Sequence, residues 1–381
     1  MPIDLQEFGS KLERRRSEGL LSHEDVEAST GIPAEKLIAF EQGNIAPTGD
    51  EVLILADLFK CDYRFLISNE QLAASEQTAS LYRKYGSEFT KSDRRGILEF
   101  LFLCECEQML EEELGRVVQR FTFHPRGSYF KAHADEAAKA LRAHFRYAAN
   151  EVPSNVYEDF RKIGFHVFRR HLGNSGISGI TIRHPFAGTC ILVNYSEDIY
   201  RQRFTAAHEA AHGILDSGED VVVSFTSGSQ QSKDSLVEIR ANTFASRYLL
   251  PPSVATAIPV SEWTEHELIL WASRFKVSTS ALSIALKESG VIDEETASNL
   301  ARVRVPAEMK VDPELVGVPP RVEARKRDLL QRGLSTSYVN LCFEAYSRGV
   351  ISGGRAAEMM LVSDFELNEI AELFNISLRG L

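Results

Sequence analysis

Between residues 8 and 66 apolar side chains recur at helical spacing in short runs broken by Gly19, Gly31, Gly43 and Pro47. The pattern predicts a bundle of four or five short helices. Within it Ser22 can cap one helix running through Val26 and Ala28 to Gly31, and Pro33 can open the next, through Leu37, Ile38 and Phe40. A helix-turn-helix is expected there. After residue 70 come a polar helix, a strongly apolar one over 97–110 and a loop around His124-Pro125-Arg126-Gly127, and no function attaches to this segment. From about residue 135 the texture changes. Ala137, Leu141 and Phe145 mark one helix, 156–163 another, and short runs at 165–168, 177–182 and 189–193, separated by glycine-bearing turns, read as strands of a small sheet. Ser196 is the candidate cap for a helix that reaches about Asp216 and stops at Ser217-Gly218. After a polar loop, 236–250 is helical in pattern until Pro251-Pro252. Two or three helices then lead to about residue 300, and a proline-rich link over 306–320 precedes a terminal helical unit.

The expected fold is therefore mainly α with a small β-sheet. Its units are an all-α helix-turn-helix bundle at 1–70, a helical linker or insert at 71–134, an α+β core at 135–300 and a C-terminal helical domain at 301–381. Composition changes this picture little. With 44% hydrophobic and 25% charged residues the chain reads as a soluble globular protein, and no apolar run approaches the roughly 18 residues of a membrane span. The first residues lack the basic region and apolar stretch of a secretory signal, so cytoplasm is the expected location and no membrane partner is expected. Five scattered cysteines fit free thiols in a reducing compartment. Cys104-Glu105-Cys106 is one residue short of the usual metal-binding spacing and sits in the apolar run, so it reads as buried thiols.

The chemistry concentrates in His208-Glu209-Ala210-Ala211-His212, an HExxH arrangement. On a helix, residues four apart share a face, so both imidazoles can point at one ion while Glu209 lies beside the open coordination position. Zinc suits such donors, with manganese a substitute in vitro. The flanking Phe204, Ala207, Ala211, Ile214 and Leu215 make the helix largely apolar, and two imidazoles buried there without partners would be costly. A third ligand must come from elsewhere. Glu238 is the candidate, on a helix where small Ala241 and Ala245 would permit close packing against the first; its alternative is a surface carboxylate, with Asp216 and Glu219 as rival ligands. Asn242, or Asp216, can hold the second nitrogen of a ligand histidine. Tyr195 and Tyr248 flank the motifs and are candidates to stabilise an oxyanion. The 189–193 strand is the candidate edge for an extended substrate.

The stretch Arg203-Phe204-Thr205-Ala206-Ala207-His208-Glu209-Ala210-Ala211-His212, with Glu238-x-x-Ala241-Asn242-x-Phe244-Ala245 and Leu249-Leu250-Pro251, resembles the ImmA/IrrE family of metallopeptidases. The resemblance covers roughly residues 135–285, including Val193-Asn194 and Phe275-Lys276-Val277-Ser278, and departs at Ala210-Ala211, where the family often has Leu-Gly. It implies a minimal zincin fold, His208, His212 and Glu238 as zinc ligands, and Glu209 as the general base. It also implies a protein substrate, a helix-turn-helix repressor that controls phage, mobile-element or DNA-damage genes.

Residues 1–70 resemble the XRE-type helix-turn-helix through Leu12, Ser22, Val26, Gly31, Ile32, Leu37, Phe40-Glu41-Gln42-Gly43, Pro47 and Leu58. Ala34, Lys36, Gln42 and Asn44 are the groove-facing candidates, with Arg14, Arg15 and Arg16 available for phosphates. Seven basic against fourteen acidic residues in this unit oppose phosphate binding, and the whole chain carries −11, so protein docking stands beside DNA as a role. Two functions follow: a zinc endopeptidase acting in regulation, or a DNA-binding regulator or antitoxin whose zincin core senses and cuts little. A dimer is compatible with either.

Overall fold

The computed structural model describes residues 3–61, 63–68, 81–82, 85–125, 130–174, 176–216, 221–225, 236–376 and 378. The amino-terminal helices are α1 (Leu5–Glu18), α2 (His23–Thr30), α3 (Ala34–Glu41), α4 (Gly49–Leu58) and α5 (Tyr63–Ile67), packed around Phe8, Leu12, Val26, Leu37, Phe40 and Leu55. Ser22 caps α2 reciprocally with Asp25, and Gly31 ends it at φ 72°, a left-handed turn that glycine adopts without penalty. The chain then re-enters a helix just after Pro33. The polar helix expected after residue 70 falls largely outside the described residues.

Next come α6 (Lys91–Glu113), α7 (Phe130–His144) and α8 (Val156–Lys162), then a four-stranded sheet of β1 (His166–Arg170), β2 (Ile177–His184), β3 (Gly188–Asn194) and β4 (Val221–Phe225) in the order β1-β3-β2-β4. β1 is parallel to β3, while β2 is antiparallel to both β3 and β4. This corrects the expectation that 189–193 is an edge. β3 is paired on both sides, and Cys190, Ile191, Leu192 and Val193 are fully buried, as a strand covered on both faces requires. The edges are β1 and β4, and β4 arises where a polar loop was expected.

The helix α9 (Ile199–Leu215) lies between β3 and β4 in sequence and packs on β2 and β3; α10 (Leu236–Leu249) packs on α9 and α7. Its cap is Asp198, which accepts the Tyr200 N–H, whereas Ser196 binds the His171 ring instead. Strand alternation sorts the two faces. Val167, Ile191 and Val193 share a core with α7, α8, α9 and α10. Phe168, Ile180, Ile182, Cys190 and Leu192 point the other way, into a core shared with α6 and with the tail helices α15 (Pro320–Gln331), α16 (Thr336–Ser347), α17 (Gly353–Met359) and α18 (Asp364–Leu373). Cys104 and Cys106 are buried in that second core, and all five cysteines are free and buried. Between the cores and the tail stand α11 (Pro252–Thr256), α12 (Glu265–Phe275), α13 (Thr279–Glu288) and α14 (Glu294–Leu300), which pack with Tyr200 and Leu250. The proline-rich link is pinned by buried Arg169, which donates to Asp312 at 2.9 and 3.0 Å and reaches Glu314 at 2.7 Å; Arg161 also binds Glu314 at 2.7 Å. Among the described residues no helix is long and apolar enough to cross a membrane.

Candidate metal centre

On α9, His208 and His212 stand one turn apart and are 6% and 1% exposed. Their Nε2 atoms approach to 3.1 Å, and the Glu238 carboxylate on α10 lies 3.2 Å from His208 Nε2 and 3.6 Å from His212 Nε2. Among the described residues these three are the group of His, Cys, Asp or Glu whose donor atoms cluster, all within 4.8 Å of one another. A tetrahedral ion with bonds of about 2.0–2.2 Å holds its donors about 3.3–3.6 Å apart, so the triad has the right dimensions. Close packing of α10 on α9 produces this, through fully buried Ala241 and Ala245.

The other ring nitrogens fix the protonation pattern. His208 Nδ1 lies 3.0 Å from Asn242 Oδ1, and His212 Nδ1 lies 2.6 Å from Asp216 Oδ2. Each Nδ1 therefore carries the proton, and both Nε2 lone pairs face one another, an arrangement that a shared cation relieves. Asn242 and Asp216, rivals in the sequence, thus hold one histidine each. Asp216 is itself gripped by Arg240, and the end of α9 is held by Arg183, which donates to the carbonyls of His212 and Gly213 at 3.3 and 2.9 Å.

Glu209 is wholly buried against β2. Thr181 donates its hydroxyl to Glu209 Oε2 at 2.6 Å and lies 3.0 Å from the Glu209 carbonyl. The other oxygen, Oε1, has no hydrogen-bond partner among the described residues. Gly179 permits the approach, since a Cβ there would stand 2.8 Å from Oε1 and 2.7 Å from Thr205 Cγ2. Thr181, Gly179, Arg183 and Arg240 were not singled out from the sequence. The period-two pattern of β2 places the first three on the α9 face, but no local signature marks them until the register is known.

Other expected residues lie elsewhere. Tyr248 is buried and donates to Asp159 at 2.8 Å, and the Tyr195 ring is covered by Arg169, so neither faces the triad. Glu219 is outside the described residues. In the amino-terminal unit Arg16 makes a two-pronged pair with Glu41 at 2.7 and 2.9 Å, Arg14 binds Glu18 at 3.1 Å, and Arg15 is buried over the Phe65 ring. Lys36 pairs with Glu51, Asn44 donates to Gln42 at 2.9 Å, and the Ala34 N–H donates to Glu27. The candidate cations for DNA are thus engaged within the unit.

No curated protein matches the chain. Residues 160–287, which include the whole sheet, the triad, Glu209, Asp216 and Asn242, match the Peptidase_M78 family model, the IrrE N-terminal-like domain, and this match supports the ImmA/IrrE family and a metallopeptidase-type core.

Proposed function

We propose that the chain is a zinc-dependent endopeptidase acting in regulation, with a helix-turn-helix repressor or an antitoxin-like protein as its substrate. The observation that carries this reading is Glu209: a buried carboxylate next to His208 in the motif, one oxygen fixed by Thr181 and the other without a partner among the described residues. Leaving a buried acceptor unpaired is costly, and a proton-transfer role accounts for it. Zinc, when bound, supplies a Lewis acid that activates water and polarises the scissile carbonyl. His208, His212 and Glu238 would hold the ion. Glu209 takes the proton of the attacking water and returns it to the departing amine. The outer edge of β4, unpaired among the described residues, offers main-chain groups to an extended substrate.

A second reading has the amino-terminal unit bind operator DNA through α3 while the core senses a signal. The capped α2, the Gly31 turn and α3 favour it, and the internal ion pairs of Arg14, Arg16 and Lys36 weigh against it.

Glu209→Gln separates the two. It should retain metal and fold while cleavage of neighbouring-gene products, with zinc or manganese present, falls about 10²–10⁴-fold. In a reporter strain Glu209→Gln should then behave like His208→Ala, with the target repressor remaining full length. Should Glu209→Gln regulate as wild type while His208→Ala fails, the sensor reading replaces the peptidase.

A further inference from the structure

One groove beside the metal centre carries a charge opposite to that of the chain as a whole. Its volume is about 750 Å³, it is open to solvent, and it lies between α9, α10 and α13. Four cations, Arg201, Arg247, Arg304 and Lys310, line it against two carboxylates, Asp198 and Glu288, in a chain whose net charge is −11. Lys310 pairs with Asp198, and Arg247 reaches Glu288 at 2.9 Å. That leaves exposed Arg304, which forms no ion pair among the described residues, while the partner of Arg201, Glu197 at 3.8 Å, lies outside the lining of the groove. The first turn of α13 is part of the lining, and the positive end of its peptide dipoles adds to the same potential.

The floor is apolar. Leu250 and Val277 are buried there, and Ile239 and Ile284 present aliphatic side chains that are 41% and 46% exposed. One end of the groove adjoins the metal centre, although His208, His212 and Glu238 are not part of its lining. Phe204 lies one turn before His208 on the same stripe of α9, Ile239 follows Glu238, and Asn242 both lines the groove and accepts from His208. An occupant of this groove therefore extends toward the ligand residues.

Building on the peptidase reading, we propose that the groove is the specificity site for the protein substrate, seating an apolar side chain that is flanked by carboxylates. Ile239, Ile284 and Leu250 receive the apolar side chain, and Arg201 and Arg304 meet the acidic flank. An apolar floor gives affinity, and charges at the rim reject the wrong partner.

The test uses the full-length Glu209→Gln protein, loaded with zinc, and two fluorescein-labelled peptides with the same Ala-Leu-Phe-Leu centre, one flanked by glutamates and one by lysines. Fluorescence anisotropy should show the glutamate peptide binding about tenfold or more tightly than the lysine peptide, with the preference shrinking as salt rises. Arg304→Glu should erase or invert the preference, and Ile284→Asp should weaken both peptides. Both positions are exposed, and circular dichroism checks that the variants fold. Equal binding of the two peptides, binding of neither, or a preference untouched by Arg304→Glu overturns the proposal. Because the readout is binding by a protein lacking the base, failure of cleavage in the wild type would sink the peptidase reading and leave this result standing on its own.

Discussion

The sheet carries a pair of buried histidines on each side, and the two pairs behave in opposite ways. On the α9 side, His208 and His212 turn their Nε2 atoms toward each other and toward Glu238. On the α6 side, His166 spends both nitrogens on neighbours, Nδ1 on Glu107 at 2.7 Å and Nε2 on Gln108 at 3.2 Å. His184 does the same, its Nδ1 accepting from the Ala187 N–H at 3.0 Å and its Nε2 meeting Glu105 at 3.1 Å. Both environments are buried and both hold carboxylates. What separates a ligand set from a structural pair is whether the lone pairs converge or are already used, and burial alone does not decide it.

Metal content breaks this comparison most directly. His208→Ala and His212→Ala should each remove the metal, about one per chain in the wild type, whereas His166→Ala should leave it in place. Elemental analysis of the three purified variants decides; loss of metal in His166→Ala would show that the second pair had been misread. Along the same series Asp216→Ala and Asn242→Ala, which free one ligand ring each, should weaken metal affinity about 10–100-fold.

A smaller effect sharpens the other side. Burial alone would push the His166 imidazole down, but hydrogen bonding to Glu107 outweighs it and lifts it to about 9. A group raised on folding adds stability that is fully present below its unfolded value near 6.5 and is lost as pH rises through about 9. Stability to urea should therefore fall by roughly 3 kcal/mol or less across that window. His166→Gln should flatten this slope, and an unchanged slope would place the charge elsewhere.

The smallest expected change is in DNA affinity. With Arg16, Lys36 and Arg14 tied to glutamates, Lys36→Ala and Gln42→Ala should alter retardation of upstream DNA little, by less than about tenfold at low salt. A large, steeply salt-dependent loss in a mobility assay would restore α3 as a groove reader.

The triad was legible in the sequence because its parts obey local rules: four-residue spacing on one helix, and small Ala241 and Ala245 on the next. Asn242 and Asp216 were legible for the same reason, each lying one turn from a residue of the triad. Thr181 and Gly179 were not, since they reach Glu209 only through the register of β2. The β3 edge was misjudged because an apolar run shows burial without showing how many neighbours a strand has. β4 went unread because Val221-Val222-Val223 is too short to stand out beside polar residues. The work of the insert was invisible too, since the partners of α6 lie in the sheet and in the tail.

That last arrangement bears on how the protein is made. Arg116, just past α6, is bonded to Glu344 on α16, 228 residues later, and the apolar face of α6 shares its core with the tail helices. On the ribosome, α6 and the side of the sheet it packs on emerge long before the tail helices that complete their core, so closure of that side waits for the final helices. The helices of the candidate metal centre come out earlier and pack on the opposite side with closer neighbours in sequence. The site is thus laid down first and the support beneath it is finished last.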